Sequence, residues 1–166
     1  MRHVRALLLP AVAIGLLAAV SAALAAAPKK PKTVPFRGSY AGTVTEKVDG
    51  QAVTALANGA GVSTVIGKGQ LVGTVAATTA NPPCSPISGP GTLSGPAGKL
   101  KVSVLPISHG CAASQDDQNN ILVSGTAKVT GGTLKFKKAR GTLHFSGHYD
   151  RGTGAFTVKL TGTLTY

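Results

Sequence analysis

From Phe36 onward, apolar or glycine residues alternate with polar ones at period two. Phe36, Gly38, Tyr40, Gly42 and Val44 share one parity, with Arg37, Ser39, Thr43 and Thr45 among those opposite. The pattern returns at Val65, Gly67, Gly69, Leu71, Gly73 and Val75, then at Leu100-Val102-Val104 and Val123-Gly125-Ala127-Val129. It recurs at Leu143-Phe145-Gly147-Tyr149 and at Phe156-Val158-Leu160-Gly162-Leu164-Tyr166. Successive side chains point to opposite faces only in a strand, so this repetition requires strands with one buried face. Asp150-Arg151-Gly152-Thr153-Gly154 joins the last two runs as a short glycine-containing hairpin loop. No stretch after the N-terminal segment carries a 3.6-residue period. The chain is all-β.

The buried parity is interleaved with glycine at Gly38, Gly42, Gly67, Gly73, Gly125, Gly147 and Gly162. Glycine within a strand permits the bends and close backbone approaches that a tightly coiled sheet needs. Large residues alternating with absent side chains suit the inside of a small antiparallel β-barrel, and closure removes exposed edges. The alternative is a β-sandwich. There is no Trp, and Cys84 to Cys111 is shorter than the usual bridge between the sheets of an immunoglobulin fold.

The N-terminus predicts a signal peptide over residues 1–25. Arg2, His3 and Arg5 form a basic start, Ala6 to Val20 an apolar core, and Ala23-Leu24-Ala25 a small-residue cleavage site. A membrane anchor is the rival, but the apolar run is short for a span of about 20 residues. Residues 26–35, with three lysines among three prolines, predict a disordered basic leader before one domain over 36–166. Removing Arg2 and Arg5 takes the net charge from +12 to 12 − 2 = +10 on 166 − 25 = 141 residues. Such a charge on a secreted protein draws it to anionic cell-wall or membrane-surface polymers, or else serves solubility alone. Nucleic acid is not expected as a partner, because the chain is exported and lacks a basic helix or an aromatic stacking motif.

Cys84 and Cys111 are the only cysteines, and an even pair in an exported chain predicts a disulfide. A two-cysteine metal site would need further ligands, and only His109 is near in sequence. Thr79 to Gly98 holds five prolines and no clear strand, while His109 to Asn120 is polar. These two read as long loops tied together by the disulfide. Gly50 to Gly61 is the nearest approach to a short helix, and its glycines favour a loop or irregular strand.

Val129-Thr130-Gly131-Gly132-Thr133-Leu134-Lys135-Phe136-Lys137-Lys138-Ala139-Arg140-Gly141 resembles the V-x-G-G-T-G-x-F-x-x-A-x-G segment of the dirigent and allene oxide cyclase barrels. Secreted bacterial proteins with the same corner look similar. The match covers about a dozen residues and departs at Leu134, where the pattern has glycine. The resemblance implies an eight-stranded antiparallel barrel, trimeric in many members, with a lumen for a small apolar ligand. It also implies a pocket role for Arg140, whereas the parity of Leu143 and Phe145 turns Arg140 outward unless a bulge intervenes. Tyr40, Phe145 and Tyr149 complete the candidate ligand-binding set.

His144, Ser146 and His148 share a strand face, but residues four apart on a strand are about 13 Å apart, too far to share one metal. Asp116-Asp117 with Asn119-Asn120 lacks the spaced ligands and glycine of an EF-hand loop and reads as a polar turn. Lys135, Lys137, Lys138 and Arg140 form the densest basic patch, with Lys135 and Lys137 expected at exposed strand positions. No G-x-S-x-G elbow, phosphate loop or zinc signature is present, so no metal, cofactor or catalytic set is assigned. The leading expectation is a secreted non-catalytic module holding a small apolar ligand or an anionic surface polymer. The alternatives are a cofactor-free cyclase or dirigent-like enzyme, and a structural surface protein.

Overall fold

The computed structural model describes residues 30–80 and 83–166; the signal-peptide expectation lies outside them. Eight antiparallel strands in chain order close into a barrel. They are β1 (Thr33–Asp49), β2 (Ala52–Ser63), β3 (Gly67–Thr78), β4 (Cys84–Gly95), β5 (Gly98–Ala112), β6 (Asn120–Gly132), β7 (Arg140–Asp150) and β8 (Ala155–Thr165). Each strand pairs with its sequence neighbours, and β1 closes the ring on β8 from Thr33↔Thr165 to Thr43↔Ala155. The sandwich alternative is thereby replaced by the barrel.

The parity read from the sequence is the one that packs. Phe36, Tyr40, Leu100, Val129, Leu143, Leu160 and Leu164 are buried inside, and Arg37, Ser39, Thr43, His144 and Thr161 lie outside. Several expectations need correction. β1 begins at Thr33, inside the segment assigned to the leader, because Thr33 to Pro35 pair with β8 and Lys32 exchanges backbone hydrogen bonds with Tyr166. Gly50 to Gly61 is mostly β2, with Gly59 and Gly61 tucked against β1.

The proline-rich Thr79 to Gly98 contains β4, a strand the prolines conceal. Pro86 and Pro90 occupy positions for which β3 offers no ladder partner, so the missing N–H groups cost the sheet little. β5 likewise runs through His109 to Ala112. Cys84 and Cys111 are therefore direct cross-strand neighbours, not anchors of two long loops, and they form a disulfide with Cα atoms 4.0 Å apart.

The corner after β6 is a single turn of 3₁₀ helix, Leu134–Phe136, rather than strand. Lys135 and Lys137 thus leave the alternation, though both remain exposed. Phe136 turns inward with no exposed surface and packs edge-to-face on Tyr166 at 5.2 Å. Together with Ala139 it seals that end of the barrel.

Candidate functional site

The up-and-down topology gives the barrel two unlike ends. One carries the β2–β3 and β4–β5 turns, the β6–β7 corner and the seam where Thr33 meets Thr165. The other carries the β1–β2, β3–β4, β5–β6 and β7–β8 connections. At the first end Phe36, Tyr40, Ile66, Leu93, Leu100, Phe136, Leu143 and Leu164 meet across the axis and close it. Towards the second, the inward positions hold Ala55, Ala57, Gly73, Ala77, Gly91, Gly110 and Ala112, which are too small to meet. The result is a cup with a solid base and an open lumen of about 810 Å³.

Aliphatic side chains form the lumen wall, among them Leu71, Val75, Val102, Val104, Val123 and Val158. Phe145, Phe156 and Leu160 also line it, and Phe145 and Leu160 pack against the plug. Gly73 shows how the space is kept: a Cβ there would meet nothing closer than Pro90 O at 3.6 Å. The disulfide sits at the rim. Its neighbours Ser85 and Gly110 line the lumen, so by strand parity Cys84 and Cys111 face outward and clasp β4 to β5 from outside.

Among the described residues, the titratable groups lining the lumen are Glu46, Tyr149 and Arg151, all at the mouth. Arg151 Nε lies 3.6 Å from Glu46 Oε2. Desolvation raises the Tyr149 phenol above its ordinary value, and the nearby Glu46 carboxylate adds to the rise. At neutral pH the mouth thus presents a neutral phenol beside an ion pair. Gln115, Gln118 and Ser114 of the β5–β6 loop complete the polar rim.

The candidate ligand set divides. Phe145 and Tyr149 line the lumen. Tyr40 is 1 % exposed within the plug, where burial pushes the phenol up against a smaller lowering by the Ser63 hydroxyl. It fills the base instead of contacting the lumen. Arg140 opens β7 on the exposed face, with Leu143 and Phe145 inward, so it is a surface residue as strand parity requires. Sequence reasoning missed Ala55, Ala57, Gly91 and Gly110, because small side chains give no signal of a cavity until the register sets them opposite one another.

The other groupings are surface features. His144 and His148 stand outside on β7, with Thr126 and Asn120 respectively as hydrogen-bond partners. Asp117 accepts from the Asn120 backbone and side chain, which hold its carboxyl below the usual range and pin the β5–β6 turn. Among the described residues no group of three or more His, Cys, Asp or Glu is placed to hold a metal.

The carboxylates are confined to one half of the barrel. Arg37, Lys68, Lys99, Lys101, Lys128, Lys135, Lys137, Lys138 and Arg140 belong to the sealed half, while Glu46, Asp49, Asp116, Asp117 and Asp150 all belong to the open half, with Lys47 and Arg151 beside them. No protein family, curated protein or solved structure matches this chain in comparison.

Proposed function

We propose that this protein is a non-catalytic carrier, acting outside the cytoplasm, that holds one small apolar molecule in its lumen. The observation that carries the reading is the 810 Å³ cup with aliphatic walls, sealed at one end and open at the other. Ligand sites span roughly 300–1,000 Å³, with apolar linings and a few placed polar groups. Eight-stranded barrels are wide enough to enclose one such ligand. Glu46, Tyr149 and Arg151 supply the polar groups at the mouth, where they can orient a single hydroxyl or carbonyl on the ligand. The disulfide fits an oxidising compartment, which supports the export expected from the N-terminal segment. Catalysis within the lumen would have to draw on that same rim trio.

The test is a fluorescence titration with N-phenyl-1-naphthylamine, a neutral probe that the basic pole cannot capture by charge. The wild-type chain is expected to bind one equivalent with a blue-shifted emission. Gly73→Leu places a side chain into the lumen where the backbone leaves room, and it should weaken binding at least tenfold while far-UV dichroism is unchanged. Equal binding by wild type and Gly73→Leu would sink the proposal.

A further inference from the structure

We propose that the sealed pole docks on an anionic lipid bilayer, with Leu134 as the inserted tip and the surrounding cations against the headgroups. Leu134 is the sole non-glycine residue among those described with positive φ, at 52°, and its side chain is 74 % exposed. A leucine in the left-handed region is uncommon and strained, and residues of this kind cluster at functional sites. Packing within the chain does not compensate: the side chain sits over Gly98, whose added Cβ would be 3.4 Å from Leu134 Cβ, and otherwise projects into solvent.

Cations ring this tip. Lys135, Lys137, Lys138 and Arg140 follow it directly, and Lys99 is joined to the same corner through hydrogen bonds with Thr133. Lys135 Nζ is held 5.1 Å from the Phe136 ring centroid and 5.2 Å from that of Tyr166, which fixes its ammonium at the pole. No carboxylate side chain accompanies them; all five sit at the far end. A lysine close to an anionic leaflet strengthens binding roughly fivefold. A soluble polyanion would satisfy the cations but offers nothing to an exposed leucine, whereas a bilayer accepts both. Docking in this pose points the lumen mouth away from the membrane, and the inference stands independently of what the lumen holds.

The chain has no Trp, so Leu134→Trp is a single-tryptophan reporter. With vesicles of phosphatidylcholine and phosphatidylglycerol its emission should shift to the blue and be quenched by brominated acyl chains, with no change for phosphatidylcholine alone. In cosedimentation, Leu134→Gly should bind the mixed vesicles roughly tenfold more weakly than wild type, the loss of a partly inserted leucine. Lys135→Glu/Lys137→Glu/Lys138→Glu should abolish the preference for anionic lipid. An unshifted indole emission from the Leu134→Trp variant with mixed vesicles overturns the proposal. So does a response to soluble polyphosphate but not vesicles, or equal binding by Leu134→Gly and wild type.

Discussion

Gly61 and Gly73 are both inward-facing glycines on adjacent strands, yet substitution by alanine should act on them in opposite directions. At Gly61 an added Cβ would overlap the Ser39 carbonyl oxygen and lie 2.7 Å from Tyr40 Cα, both backbone atoms of β1. Neither can swing aside, so β1 and β2 must separate beside the Tyr40 plug, at a cost of about 3 kcal/mol, the upper end of ordinary overpacking. At Gly73 the nearest atoms are Pro90 O at 3.6 Å and Gly91 Cα at 3.8 Å, ordinary contact, and the backbone is not in the left-handed region. There alanine restricts the unfolded chain and should stabilise by about 0.5 kcal/mol. With a shift of about 4 °C per kcal/mol for a domain of this size, Gly61→Ala should melt roughly 12 °C lower and Gly73→Ala about 2 °C higher. Differential scanning calorimetry on oxidised protein reads both. Equal melting temperatures for the two variants would refute the argument that close strand approach coils the sealed half while open space surrounds the lumen glycines.

Two further outcomes follow from the same geometry. The Cys84–Cys111 bond closes a sequence separation of 27 residues, so Cys84→Ser/Cys111→Ser should lose about 3 kcal/mol on the chain-entropy account, read as a lower urea midpoint. Burial raises the phenols of Tyr40 and Tyr149 above 10.0, so the folded state keeps protons that the unfolded chain releases. Their contribution is complete below about pH 10 and is lost as pH rises through the folded-state values. Absorbance at 295 nm should show both ionising late, and Tyr149→Phe should soften the alkaline fall in melting temperature.

Strand parity was legible because period two is a local property. It placed Phe145 inward and Arg140 outward, and it placed the β7–β8 hairpin. The inward glycines spoke for a coiled, closed sheet for the same reason. β4 was not legible, since the prolines of Thr79 to Gly98 mimic a loop unless the gap in its pairing with β3 is known. The disulfide was anticipated, but its place was not, because that depends on the β4–β5 register. The lumen was hidden most completely. Alternation says which side chains point inward, not whether those from eight strands meet. Tyr40 and Phe156 look alike in sequence, yet one is buried in the plug and the other lines the lumen. Leu134 was legible only as a departure from a glycine pattern. The structure shows that it takes a left-handed backbone in spite of its side chain.

The most direct test of the open lumen is a methyl-detected NMR titration with a medium-chain alcohol such as decanol. Saturable shifts confined to Leu71, Val75, Val102 and Val158, with the plug methyls of Leu100, Leu143 and Leu164 unmoved, are what an accessible apolar cup predicts. Absent shifts, or shifts confined to exposed Leu56, Val62 and Leu122, would contradict it.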